Sequence, residues 1–209
     1  LQGLVRPEAE REAYVYQQAD FQLLSQLIYL ESDLTQPVLP RVSAPTVTWE
    51  TYTPGNHGRF AKVIEGTYQD SLDCGSLNGL RDIEDIIASH RATGRFDPRF
   101  WLIGLLDKDP VGTILLSFVS ERPSYEVVYM GLLSQWRGRG YGAALLRRGV
   151  EMARDRAVMA LTLAVDARNT PAQKLYRRFA FREVSRRDAW IKILSSPDSI
   201  SQVSPIAGS

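Results

Sequence analysis

The stretch 135–146 reads QWRGRGYGAALL. Three glycines alternate with Arg137, Arg139 and Tyr141, and a run of good helix formers follows. A tight turn needs one or two glycines, so this density has another use. Glycines let backbone N–H groups converge on a ligand without Cβ interference, and a helix start adds partial positive charge. A strand that enters such a loop and leaves as a helix makes an anion site, with pyrophosphate as its usual occupant. The segment Arg137, Gly138, Arg139, Gly140, Tyr141, Gly142 and Ala143 supplies the amides, and the two guanidiniums add charge and paired donors. The positive charge is local. Six arginines between Ser134 and Ala157 stand against Glu151 and Asp155, while the whole chain carries only +1.

Three kinds of anion loop compete. A nucleoside-triphosphate loop ends in Gly-Lys-Ser or Gly-Lys-Thr, and this one ends in GYGA. A dinucleotide loop is matched by Gly138, Gly140 and Ala143, with Asp166 as the ribose acid. Asp166 is farther away than the usual ~20 residues, however, and too little chain follows for a doubly wound sheet. The third is a loop for the pyrophosphate of coenzyme A. Here the stretch resembles the GNAT superfamily of acyl-CoA-dependent N-acyltransferases, whose signature Gln/Arg-x-x-Gly-x-Gly/Ala is met by Arg137, Gly140 and Gly142. A second segment, VDARNTPAQKLYRRFAF (165–181), is similar to that family's N-x-P-A-x-x-x-Y-x-x-x-G-F pattern through Asn169, Pro171, Ala172, Tyr176 and Phe181. The resemblance covers roughly 46–194. One position departs from it: Ala180 stands where the family carries glycine. A left-handed residue at that helix end costs alanine about 1 kcal/mol.

Acyl transfer from a thioester to an amine requires the thioester to be held, the amine deprotonated, the oxyanion stabilised and the thiolate protonated. The resemblance implies acetyl-CoA as donor. It puts Leu132, Leu133 and Ser134 beside the pantetheine arm, with an N–H there polarising the thioester carbonyl. It places Asn169 and Ala172 on the cofactor and Tyr176 as the acid for the leaving thiolate. Tyr176 is otherwise a helix aromatic packed on the core. Glu126, in EVVY eleven residues before Arg137, matches a glutamate base of the family's histone-acetylating members. A carboxylate among apolar strand residues is partly desolvated, which makes it a better base. The alternatives are an ordinary ion pair for Glu126 and deprotonation through water. His57 and His90 are weaker bases by position, on outer helices, and Cys74 reads as structural. The acceptor side falls to 66–82, where Tyr68, Asp70, Asp73 and Asp82 either attract an ammonium group or belong to a solvated loop and a helix cap. No metal-ligand pattern is present.

These residues need elements to position them. TVTWETY (46–52) alternates like a strand; 58–68 and 80–92 carry helical stripes through Phe60, Val63, Ile64 and Tyr68, and through Leu80, Ile83, Ile86 and Ile87. Strands follow at 99–107, 111–120 and 124–133, then a helix from Tyr141 to Arg156, a short strand at 160–165, and a helix at 169–179 with Asn169 or Thr170 as cap and Pro171 in its first turn. FREVS and AWIKIL close the chain as a hairpin across RRD. The order β-α-α-β-β-β-α-β-α-β-β describes an α/β (α+β) domain with a mixed, mostly antiparallel sheet of about 6–7 strands, which is also the element order of the family fold.

Residues 1–37 echo the end of that domain. YQQADFQLLSQLIYLES (16–32) resembles YRRFAFREVSRRDAWIKIL (176–194), each running from a Tyr to a Phe five positions on. They read as a helix plus hairpin, either from a preceding GNAT-like domain or alike by chance. Residues 38–45 read as a linker, 46–194 as the acetyltransferase domain and 195–209 as a disordered tail. With 209 residues, 44% hydrophobic and 23% charged, the core needs no disulfide, and the single cysteine suits a reducing cytoplasm. No apolar run approaches the roughly 18–20 residues that span a bilayer, and the small net charge gives no polyanion-binding surface. No nucleic acid or membrane partner is expected; the partners are a small-molecule or peptide amine and either a second copy or a preceding domain. Two functions fit: an acetyl-CoA-dependent N-acetyltransferase, or a non-catalytic acyl-CoA-binding module on the same fold.

Overall fold

The computed structural model describes residues 1–35, 43–73 and 82–193. The elements are β1 (Gln2–Val5), α1 (Glu10–Gln18), β2 (Gln22–Asp33), β3 (Thr48–Thr51), α2 (His57–Tyr68), α3 (Ile83–Ala92), β4 (Trp101–Leu106), β5 (Asp109–Val119), β6 (Ser124–Leu132), α4 (Tyr141–Arg154), β7 (Ala160–Asp166), α5 (Thr170–Arg178) and β8 (Arg182–Ile191). They form one eight-stranded sheet in the order β1-β8-β2-β7-β6-β5-β4-β3. Among the described residues only β6 and β7 pair in parallel. The mixed, mostly antiparallel sheet matches expectation, with eight strands rather than six or seven. The expected hairpin at the end of the chain is a single strand, β8, and the hairpin expected near the start is a single strand, β2. The polar RRD stretch does not turn because β8 is paired on both sides, by β1 and by β2.

Two cores sandwich the sheet. On one face α4 buries Leu145, Leu146 and Val150 completely, against Ile114, Leu116 and Leu161. Each such side chain contributes about 1.5–3 kcal/mol. On the other face α2 and α3 bring Phe60, Ile64 and Ile87 onto Trp101, Ile103 and Leu115. Among the described residues no helix is long and apolar enough to cross a membrane.

The centre of the sheet is where a site opens. β6 and β7 pair only from Ser124↔Ala160 to Val127↔Leu163. Val128 then bulges out of the β5–β6 ladder, between Leu115↔Tyr129 and Leu116↔Val127. From there the ends of β6 and β7 are unpaired with each other, and a gap lies between them. β7 stays paired on its other side as far as Leu27↔Asp166.

The echo seen in the sequence is also geometric. Tyr16 and Tyr176 lie 160 positions apart, and that shift maps the pairings onto one another. Gln2↔Ile191 becomes Thr162↔Glu31, and Val5↔Asp188 becomes Val165↔Ile28. The β2–β8 ladder maps onto itself, Gln22↔Ile191 exchanging with Arg182↔Glu31, and the bulges at Leu24 and Val184 correspond. Both helices end in the same hydrogen-bonded turn. Phe21 N donates to Tyr16 O at 3.0 Å, and Phe181 N to Tyr176 O at 3.1 Å. Asp20 and Ala180 take the left-handed position, with φ of 59° and 60°. Ala180→Gly is therefore expected to stabilise the protein by about 1 kcal/mol, read as a higher midpoint in thermal unfolding; an unchanged or lower midpoint would show that the turn carries no such strain.

Candidate active site

The glycine loop leaves the end of β6 and enters α4. Gly138 and Gly140 have φ of 73° and 86°, which side-chain-bearing residues rarely adopt. These turns carry the five amides of residues 138–142. Among the described residues none of these five donates to another backbone group, whereas Ala143 N already turns back to Gly140 O at 3.0 Å. Unclaimed amides at the start of a fourteen-residue helix are what an anion needs.

The two arginines divide their roles. Arg137 is half-buried and its guanidinium is committed to carbonyls: Leu132 O at 3.1 Å, Asp70 O at 2.9 Å, Thr67 O at 3.0 Å and Gln69 O at 2.6 Å. It caps the carboxyl end of α2, where a cation is favoured, and ties that helix to the loop. The expectation that Arg137 adds free donors for an anion is not what this geometry provides. Arg139 is exposed and lies over the Trp136 ring at 5.6 Å, next to the open amides.

The gap between β6 and β7 continues the loop into a cavity of about 570 Å³. Of the residues expected at the site, it is lined by Leu132, Arg137, Gly138, Gly140, Gly142, Ala143, Asn169, Ala172 and Tyr176. Leu133, Ser134, Arg139, Tyr141 and Glu126 lie outside its lining. Leu133 N is held by Val111 O at 3.1 Å, in the ladder with β5. Strand alternation then turns the amide of Leu132 the other way, into the gap. Asn169 caps α5, accepting from Ala172 N at 3.2 Å, with Pro171 in the first turn.

Tyr176 sits two residues before the end of α5, its ring 5.8 Å from that of Phe181. It is 6% exposed, and its hydroxyl has no hydrogen-bond partner among the described residues. Burial, and secondarily the charge of Asp73, push its pKa well above that of an ordinary phenol. Tyr129, which the sequence reading did not single out, also lines the cavity. Its hydroxyl meets Thr67 Oγ1 at 2.7 Å, and burial pushes its pKa up as well. The signal for it lies in EVVYMG, where a bulge turns the tyrosine inward.

Glu126 lies upstream on β6, level with Ser117 and Thr162 across the sheet. It is half-buried, and its carboxylate has no hydrogen bond or ion pair among the described residues. Burial raises its pKa. Asp166 is fully buried and holds Arg168 through three contacts, at 2.8, 3.0 and 2.6 Å, so its carboxylate serves a local turn. His57 bridges Tyr52 and Glu84, at 2.9 Å each, away from the cavity. Cys74 lies outside the described residues. Of the acidic positions of 66–82, Asp82 caps α3 by accepting from Glu84 N at 2.8 Å. Asp73 reaches the cavity, and its Oδ1 accepts from Asp166 N at 2.9 Å. Burial raises its pKa foremost; the hydrogen bond from Asp166 N opposes that, the charge of Asp166 adds to it, and a hydrogen bond with Asn169 opposes it.

A sheet parted between its two parallel strands, with an open-amide glycine loop at the mouth of the gap and a phenol inside, defines the class of GCN5-related N-acetyltransferase folds. The chain belongs to the Acetyltransferase (GNAT) family, whose model matches residues 65–181. A mycothiol acetyltransferase of Streptomyces griseus subsp. griseus is 31% identical over 150 residues, which is 71% of this chain and 46% of that protein. The chain thus spans about half the length of that curated relative. A GCN5-related N-acetyltransferase from Sphaerobacter thermophilus superposes with a TM-score of 0.67 at 24% identity, over 90% of this chain and 58% of that one. A tandem GNAT protein from the clavulanic acid biosynthesis pathway superposes with a TM-score of 0.58 at 13% identity, over 90% of this chain and 62% of that one.

Proposed function

We propose that this chain is the catalytic part of an N-acetyltransferase that transfers an acetyl group from acetyl-CoA to a primary amine by direct attack in a ternary complex. One observation carries the reading: the loop with the unclaimed amides of 138–142 lines, through Gly138, Gly140 and Gly142, the same cavity that holds the unpartnered phenol of Tyr176. Acetyl-CoA would supply an activated thioester. The loop amides and Arg139 would bind its pyrophosphate, and Leu132 and Asn169 would flank its pantetheine arm. The Leu132 N–H, turned into the gap, would polarise the thioester carbonyl. With its raised pKa, Tyr176 stays protonated at neutral pH, the form that can give a proton to the leaving thiolate. Glu126 lies outside the cavity lining, so it would receive the amine's proton through a water relay, and burial strengthens it as a base.

The 160-position symmetry supports a domain proposal as well. Residues 1–35 take the place that the end of a preceding, homologous domain would occupy, with β2 and β8 as the central pair. The likeness to a tandem GNAT protein, whose matched region spans 90% of this chain, agrees with that arrangement.

The test is thiol release from acetyl-CoA with glucosamine, aspartate and alanine amide as acceptors. Turnover with at least one amine is the expected result. Acetyl-CoA binding without turnover on any amine overturns the enzyme reading in favour of a non-catalytic module. Glu126→Gln is expected to lower kcat by roughly 10²-fold. A base works deprotonated, so the wild-type kcat should fall as pH drops through a value above the usual carboxylate range, and Glu126→Gln should lose that limb. An unaltered profile would return the proton to water.

A further inference from the structure

We propose that Asp73 is the residue that binds the acceptor, its carboxylate holding the acceptor's ammonium group inside the cavity beside Tyr176. The assignment rests on the acetyltransferase reading and names the acceptor-binding group of that same site.

Four observations converge on it. Asp73 lines the cavity together with Tyr176 and the loop glycines, so a group bound to it faces the place where a thioester would lie. Its carboxylate is positioned in advance. Asp166 N, at the end of β7, donates to Oδ1 at 2.9 Å, and Asp73 N donates to Ser71 Oγ at 3.2 Å. No cation pairs with it among the described residues. Of the arginines around this gap, Arg137 is committed to four carbonyls and Arg168 to Asp166, while Arg178 lines the cavity without forming an ion pair with Asp73. Finally, the rival acids of the acceptor segment are placed differently. Asp82 caps α3, and Asp70, although it also lines the cavity, is exposed to solvent, whereas Asp73 is half-buried and held by Asp166 N.

A half-buried carboxylate with no cation beside it is complementary to an ammonium ion. The remaining lone pairs of Asp73 can accept from an R–NH₃⁺ group while the bond from Asp166 N keeps the carboxylate oriented. Tyr129 closes the same part of the cavity, its hydroxyl held by Thr67. The acceptor class that fits is an amine that arrives protonated, and Glu126, outside the cavity lining, takes its proton through the same water relay. Asp73 and Glu126 thus divide binding from chemistry, and a kinetic split separates them.

The experiment is steady-state kinetics of wild type, Asp73→Asn and Glu126→Gln with glucosamine, aspartate and alanine amide, alongside calorimetric titration of acetyl-CoA. Asparagine keeps an oxygen that can accept from Asp166 N, so the clasp on β7 survives while the charge is lost. Asp73→Asn is expected to raise KM for the amine roughly 10–100-fold, the worth of a charge-assisted hydrogen bond. Its kcat should stay within about threefold, and acetyl-CoA affinity should be unchanged; Glu126→Gln should show the opposite split. An unchanged amine KM in Asp73→Asn, with an active wild type, overturns the assignment alone. So does weaker acetyl-CoA binding, which would make Asp73 a cofactor-side clasp, or tighter binding, which would make it a plug in the pantetheine path. A wild type that acetylates none of the three amines overturns the acetyltransferase reading, and this assignment with it.

Discussion

Replacing Tyr176 by Phe is expected to lower kcat by roughly 10²–10³-fold while the KM for acetyl-CoA stays within about threefold. The size follows from what the substitution removes. The hydroxyl has no hydrogen-bond partner among the described residues, so its loss leaves no buried donor or acceptor unsatisfied. The ring remains packed on Phe181, and the Phe181 N to Tyr176 O bond belongs to the backbone. The Tyr176→Phe variant should therefore fold as the wild type does, and the kinetic loss reports the proton. Burial pushes the phenol pKa up, so the acid form persists across neutral and moderately alkaline pH. The wild-type kcat should accordingly hold to about pH 10, the ordinary phenol value, with no alkaline decline from this group. A kcat unaffected by Tyr176→Phe would reduce Tyr176 to a core aromatic at the end of α5.

What the sequence reveals here depends on how local each interaction is. The left-handed glycines, the helix that follows them and the Asn169 cap are all set within a few residues, and all are legible in the chain. The Schellman turns at Asp20 and Ala180 are local too, which is why an echo between two short segments proves to be a symmetry of the sheet. Arg137 is the contrary case. An arginine in a glycine loop looks like an anion ligand, yet its carbonyl partners Thr67, Gln69 and Asp70 come from the end of α2. No spacing rule links positions some seventy residues apart. β8 fails as a hairpin for the same reason. RRD has fair turn chemistry, but a strand paired on both edges has no reason to turn, and its partners lie at the other end of the chain. Asp73 is one acid among several in its segment, and only the fold separates the half-buried acid in the cavity from the exposed one at its edge and from the one that caps a helix.

Gly140→Val is expected to weaken acetyl-CoA binding by at least about 100-fold, and to lower the thermal midpoint. Gly140 is the residue from which α4 starts, and its φ of 86° lies where a β-branched side chain is strongly disfavoured. Space is short as well: an added Cβ would lie 3.2 Å from Pro45 Cδ, so Pro45 would have to give way. The cheaper escape is for the loop to abandon the left-handed turn, which swings the amides of Gly140, Tyr141 and Gly142 away from a common centre. Losing two hydrogen bonds to a charged group, each worth about 1.5–3 kcal/mol, gives the stated loss of affinity. Gly138→Ala is the matched control. Its φ of 73° carries a similar conformational cost, but an added Cβ there meets nothing within 4 Å. It should lower stability by about 1–2 kcal/mol and weaken binding far less than Gly140→Val. Calorimetric titration with acetyl-CoA and thermal unfolding of both variants decide the matter. If Gly140→Val binds acetyl-CoA within threefold of wild type, the convergent amides at the start of α4 are not the anion site, and the open loop has to be explained as a structural turn held beneath Pro45.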